Sequence, residues 1–235
     1  MKYLKIFTIS FSLLVCFSFT STAQRFLGAV SAGMNLTQVD GEEVIGFKKV
    51  GFNGGPSVIF PFGKNKKWSV TMELLYSQNG SYRKEQYLND TIFDSTEYYD
   101  GYRLTLNYIQ IPLIVHFTDK NFIAGGLGVQ YGRLMSFKEY EDKNDPRGLH
   151  RTDSLKFNTS DIQILADFRL RVYKRLWFNL RYSYSILPIR IKTFENPFTL
   201  STWTRKQYNN VLTFRVVYIF NESNPKKIDP NSEQY

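Results

Sequence analysis

Few side chains in this sequence suit a reactive site. There are 2 histidines and 1 cysteine in 235 residues. His150, Asp153 and Ser154 can be drawn as base, acid and nucleophile. Neighbours at i, i+3 and i+4 in a polar stretch do not hold the geometry such a set requires. His116 falls on the polar side of an alternating segment beside a short turn, where a capped interior ring is expected. A metal set lacks ligands. The run Glu139-Tyr140-Glu141-Asp142 with Asp145 offers at most weak attraction for a divalent ion. Gly125-Gly126-Leu127-Gly128 does not have the pattern of a phosphate cradle and reads as close packing inside a strand. No catalytic residue, no metal and no cofactor are therefore expected. The charges that stand out are Glu73, Asp167, Arg169, Arg181 and Arg215, each embedded in an apolar segment.

Those segments alternate with period two, the signature of strands with one apolar and one polar face. From Trp177 to Ile186, Phe178, Leu180, Tyr182, Tyr184 and Ile186 oppose Asn179, Arg181, Ser183 and Ser185. From Val211 to Phe220, Leu212, Phe214, Val216, Tyr218 and Phe220 oppose Thr213 and Arg215. Asp161–Val172 and Trp68–Gln78 follow the same rule. Phe26–Leu36, Gly51–Phe60, Tyr102–Phe117 and Phe122–Met135 are weaker but compatible, which makes eight strands. Within Tyr102–Phe117 the apolar pattern slips near Tyr108, and Pro112 lies inside it; a bulge is the usual remedy for either. Short links alternate with long ones, the long ones spanning roughly 38–48, 84–101, 137–160 and 188–208.

Composition narrows the class. The 20 Phe, 16 Tyr and 3 Trp argue against disorder. Mean hydropathy is −0.32, and no apolar run in the body is long enough for a spanning helix. Residues 1–23 read as a secretory signal: Lys2 and Lys5, an apolar core from Ile6 to Phe19, and a small-residue exit at Ser21-Thr22-Ala23. Val15 before Cys16, and the apolar stretch continuing past it, fit cleavage better than lipidation. The chain from Gln24 onward then has no thiol and no disulfide. The expected organisation is a signal at 1–23, a barrel at 24–220 and a polar tail at 221–235.

A barrel of two-faced strands can be soluble with its apolar face inward, or membrane-embedded with that face outward. Full charges of both signs on the polar face favour the membrane. So do aromatics near strand ends and an even strand count with short turns at one end. Lipid cannot satisfy an open sheet edge, so the sheet must close. The fold expected is all-β, an eight-stranded antiparallel up-and-down transmembrane barrel with short periplasmic turns and long extracellular loops. Eight strands leave an interior that side chains fill. Glu73 and Asp167 are expected to pair there with Arg169, Arg181 and Arg215, bridged by Gln110, Gln163, Asn53 and Asn179.

Several motifs carry a family resemblance. Gly33-Met34-Asn35-Leu36-Thr37-Gln38 resembles the G-x-N-L-S/T opening of the PorT-like outer-membrane β-barrel proteins of Gram-negative bacteria. Glu73-Leu74-Leu75-Tyr76-Ser77-Gln78-Asn79-Gly80 is similar to their E-L-x-Y-S-x-x-G strand. Leu106-Asn107-Tyr108-Ile109-Gln110-Ile111-Pro112-Leu113 resembles their L-x-Y-x-x-I-P-L strand, with Gln110 where an acidic residue is frequent. The resemblance implies an outer-membrane barrel and no single activity; one branch serves secretion across the outer membrane. Phe220 looks like the terminal aromatic read by barrel-assembly machinery, although a polar tail follows it.

The net charge of +9 raises nucleic acid as a partner, but the cations are dispersed and many belong to the lumen face. Lipid of the outer membrane is the expected surrounding, with no nucleic acid. The second long loop is acidic and rich in tyrosine, and Tyr87, Tyr98 and Tyr99 are candidates for contact with an envelope protein. The function expected is non-enzymatic, structural or interactive. The alternatives are a small lipid-modifying enzyme or a component of an outer-membrane secretion complex.

Overall fold

The computed structural model of the chain describes residues 26–42, 44–63, 66–84, 86–90, 95–99, 101–141, 157–195 and 200–222. The signal at 1–23, the tail from 223 on, and His150, Asp153, Ser154, Asp142 and Asp145 lie outside them. The described elements are all strands: β1 (Leu27–Asp40), β2 (Lys49–Phe62), β3 (Trp68–Glu73), β4 (Leu75–Arg83), β5 (Gln86–Asp90), β6 (Ser95–Tyr99), β7 (Tyr102–Asp119), β8 (Ile123–Glu141), β9 (Ser160–Tyr173), β10 (Leu176–Ser185), β11 (Arg190–Glu195) and β12 (Thr202–Ile219).

The strands close on themselves. β1 pairs with β2 on one side and with β12 on the other, and every pairing is antiparallel. β3 and β4 are two halves of one wall strand, and β11 hangs on β12 alone, so the wall is an eight-stranded up-and-down barrel. The break at Leu74 has a local cause. Pro112 has no N–H to give the ladder, and it lies between the pairs Leu113↔Met72 and Gln110↔Leu75. Leu74 donates its N–H to the Pro56 carbonyl instead, at 3.0 Å.

Apolar side chains look outward. Met34, Phe52, Leu74, Leu113, Val129, Ile164 and Val216 are all exposed, whereas Asn35, Glu73, Gln163 and Arg215 on the alternate positions are buried. On β7 the outward apolar run is Ile109 to Phe117, on β8 Ile123 to Tyr131, and toward the end of the wall Leu212 to Phe220. Each is nine residues. At about 3.4 Å per residue and a tilt of about 40°, that makes a band roughly 20–25 Å tall, the height of an outer-membrane hydrocarbon belt. Phe60, Phe62, Trp68, Phe117, Phe122 and Phe220 ring the short-turn edge, and Phe52, Tyr76, Tyr131, Tyr182 and Tyr208 ring the other.

Beyond that second edge the wall inverts. β7 is 18 residues long, and its upper half buries Tyr102, Leu104, Leu106 and Tyr108 while turning Arg103, Thr105 and Asn107 outward. The alternation of β7 therefore runs unbroken through Tyr108, and the expected slip in that strand is corrected: what changes is the solvent outside. A register shift does occur there, but β8 absorbs it. Tyr108 faces Leu134 and Asn107 faces Ser136, leaving Met135 as the extra residue. The long loops are likewise more ordered than expected. Part of 188–208 is the strand pair β11–β12, part of 137–160 extends β8, and 84–101 contains the separate hairpin β5–β6.

Candidate functional site

The lumen is layered. Its middle is ionic, and the ionic layer is built from five strands and the end of a sixth. Asp167 and Arg169 come from β9, Arg181 and Asn179 from β10, Arg215 from β12, His116 from β7, Asn53 from β2 and Glu73 from the last position of β3. Arg181 holds both Glu73 oxygens at 2.9 and 3.1 Å, and its Nε donates to Asp167 at 2.7 Å. One Arg215 nitrogen reaches both Glu73 oxygens at 3.0 Å, and Arg169 spans Glu73 and Asp167 at 3.1 Å each. Asn179 donates to Asp167 and accepts from Arg215. Each member is almost wholly shielded, Arg215 at 2% exposure and Glu73 at 3%.

Two glycines make the crossings possible. His116, Gly126 and Asp167 form one row across β7, β8 and β9. A methyl group on Gly126 would stand 2.6 Å from the imidazole. With no side chain there, His116 lies over the middle strand and its Nε2 meets Asp167 at 2.9 Å, while its Nδ1 meets the Thr71 hydroxyl at 3.2 Å. Asn53, Gly33 and Arg215 repeat the device across β2, β1 and β12. There a methyl would approach Arg215 Cβ to 2.5 Å, and Arg215 reaches the Asn53 oxygen at 3.3 Å.

A second, uncharged-to-acidic layer lies above. Gln130 donates to Gln163, Gln163 donates to Asp161, and Asn209 donates to both Asp161 and the Tyr108 hydroxyl. Asn35, Ser77, Asn79 and Thr213 form a further amide and hydroxyl group. Gln163 thus bridges Asp161 and not the ion pairs, and Gln110, also buried, stands opposite Leu75 and Gly132. The five charged residues come together; the two glutamines belong to other layers, and Asn53 and Asn179 take the bridging places.

Apolar clusters close both ends. Ala29, Ile59, Ala124, Trp177, Val217 and Ile219 pack at the short-turn end. Val39, Val44, Tyr102, Leu104, Leu106, Tyr108, Phe157 and Ile189 pack at the long-loop end. Above the latter sits an ion group that the sequence reading did not anticipate. Arg190 donates to Glu139 at 2.9 Å and to Glu42 at 3.2 Å, stacks on Phe157 at 4.2 Å, and bonds Gln207; Lys192 reaches Glu42 at 3.1 Å. Burial opposes ionisation of Glu139, but the Arg190 bond and charge outweigh it and hold the carboxyl below its usual range. Burial, then the charges of Glu42 and Glu139, push the Tyr102 phenol up. Glu139, considered above for a divalent ion, is therefore committed to cations of the chain itself. In the β5–β6 hairpin Tyr87 pairs with Tyr98 and Gln86 with Tyr99.

Comparison with known proteins agrees with this architecture. Residues 19–190 match the outer membrane protein beta-barrel domain family. Similar solved structures include Ail, the attachment invasion locus protein of Yersinia pestis, at 12% identity and a TM-score of 0.43, covering 83% of this chain and 98% of that one. Neisserial surface protein A is similar at 13% identity and TM-score 0.43, covering 83% and 97%. The outer membrane protein OprG of Pseudomonas aeruginosa is similar at 14% identity and TM-score 0.39, covering 84% and 95%. No curated protein matches the chain.

Proposed function

The chain belongs to the outer membrane protein beta-barrel domain family, and from that premise we propose that it is a closed, non-enzymatic barrel whose work is contact at its protruding end. The observation that carries this reading is the filled lumen. Three guanidiniums locked onto two carboxylates stand between two apolar clusters, and a conducting path would have to break all three layers. In this reading the short turns and both ends of the wall face the periplasm. The upper parts of β7, β8 and β12 stand outside the cell, carrying the β5–β6 hairpin with Tyr87, Tyr98 and Tyr99 toward an envelope protein partner. A signal at 1–23 would export the chain. The motifs around Asn35, Glu73 and Pro112 support a place in the PorT-like branch. Phe220, outward and 53% exposed beside the closing strand, is suited to recognition by barrel-assembly machinery.

Planar-bilayer recording on the refolded chain tests the closed lumen: no resolved conductance steps are expected, and steps that persist across preparations would overturn it. A photo-crosslinking residue at Tyr98 tests the contact. One discrete adduct is expected in intact cells, absent when the same probe replaces Lys66 at the opposite rim. Equal adducts from both positions would sink the assignment.

A further inference from the structure

The ionic layer is not electrically balanced. Glu73 and Asp167 together face Arg169, Arg181 and Arg215. The next carboxylate along β9, Asp161, stands six residues away, about 20 Å along an extended strand. It is bonded to Gln163 and Asn209, not to a cation. One positive charge thus remains inside a low-dielectric wall, where an unmatched charge is strongly unfavourable.

That charge has an outlet. Of the three arginines, Arg169 alone lines a recess of about 90 Å³ at the short-turn end, together with His116, Thr118, Lys66, Arg171 and Trp177. Its side chain keeps 7% exposure, against 3% for Arg181 and 0% for Arg215. The Arg171 charge is already met: it forks onto Glu222, donates to the Asn121 and Lys174 carbonyls, and stacks on Trp177 at 4.2 Å. Lys66 adds a second cation at the edge. The Trp177 ring lines the same recess. The recess has room for several waters. It is therefore large enough for an oxyanion, and its lining sets the cations Arg169, Arg171 and Lys66 against one carboxylate, Glu222.

We propose that this recess binds a small inorganic anion, held by the Arg169 guanidinium beside the Trp177 ring. The ion neutralises the surplus charge of the lumen.

Iodide serves as both ligand and reporter. A chain carrying Trp68→Phe and Trp203→Phe leaves Trp177 as the emitter and is folded in an uncharged maltoside detergent. At constant ionic strength, iodide is expected to quench the emission with saturation. Inorganic phosphate should reverse the quenching, and caesium at the same concentration should leave emission unchanged. Arg169→Met, with folding verified by the heat-dependent gel shift, is expected to weaken iodide binding by about tenfold or more, the loss of one charge-assisted bond. Linear quenching insensitive to phosphate, equal quenching by caesium, or unchanged affinity in Arg169→Met would overturn the proposal. Should that variant not fold, the iodide, phosphate and caesium comparison on the parent chain decides alone.

Discussion

Replacing Glu73 by glutamine removes one charge and almost no volume, so its effect isolates the electrostatics of the lumen. Five contacts from Arg181, Arg215 and Arg169 converge on the carboxylate at 2.9–3.1 Å. An amide group in place of Oε2 turns its own donors toward Arg181 and Arg215 and loses the two bonds that oxygen accepts. Charge-assisted bonds contribute about 1.5–3 kcal/mol each, which gives a loss of about 3–6 kcal/mol. The cost of breaking a buried pair from one side, about 3–5 kcal/mol, falls in the same range. Urea unfolding in lipid vesicles, followed by tryptophan emission and by the gel shift, measures it. Glu73→Gln should unfold at markedly lower urea. Adding Arg215→Gln should then cost less than the sum of the two single changes by about 1 kcal/mol or more, because the second change removes a charge that the first left unpaired. A Glu73→Gln loss under about 1 kcal/mol, with strict additivity, would refute the view that these five residues act as one unit.

The remaining expectations concern packing, the belt and the mouth. Gly126→Val should destabilise by about 2 kcal/mol or more, since its β-carbon would meet the His116 ring at 2.6 Å, whereas Gly125→Ala, with open space around it, should stay within about 0.5 kcal/mol; vesicle unfolding of both variants separates them. Phe214→Arg places a cation outward in the belt and should cost about 2–4 kcal/mol, while Thr105→Arg, outward beyond the belt, should cost about 1 kcal/mol or less; equal effects would place the boundary elsewhere. Glu139 is held below the usual carboxylate range, so its contribution is fully present above the unfolded value near 4.5 and fades as pH falls through the lower folded value. The stability gap between parent and Glu139→Gln, read from urea midpoints between pH 6 and pH 3, should therefore narrow on acidification; a gap that widens would show that the carboxyl is not stabilised as an anion.

The sequence was most readable where the strands lie in the belt. There, period-two alternation marks the two faces of β9, β10 and the lower part of β12, because solvent outside and lumen inside differ sharply and every second residue records it. It was least readable where the wall leaves the belt. Leu104, Leu106 and Tyr108 turn inward just as Asn107 and Arg103 turn outward, and a pattern search sees that exchange of environments as a slipped strand. The ionic layer was legible in composition but not in all its partners. His116 joins Asp167 only because Gly126 leaves the row open, a relation between three strands that pairwise spacing along one chain does not contain. The signal was present nonetheless: an inward glycine directly beside an inward histidine or arginine in register. Glu42 and Arg190 are 148 positions apart, and nothing local joins them.

The charged lumen also explains how one register is chosen. A β-barrel wall can pair in several registers with similar backbone hydrogen bonding, and a shift of one residue exchanges the two faces of a strand. For β9 that exchange would send Asp161, Gln163, Asp167 and Arg169 outward and draw Ile162, Ile164 and Phe168 inward. A cation alone at the belt centre costs about 2–4 kcal/mol, and the partners left behind in the lumen lose their bonds as well. A slip of two residues keeps the faces but moves Asp167 past Arg181, which it faces directly, and moves Gly126 out from between His116 and Asp167. The backbone of Arg215 blocks the same move beside Gly33, since any larger residue brought there would overlap it. Two glycine windows and one shared pair of carboxylates therefore specify the alignment of all eight wall strands at once. The apolar belt, whose side chains are interchangeable in lipid, specifies only which face looks out.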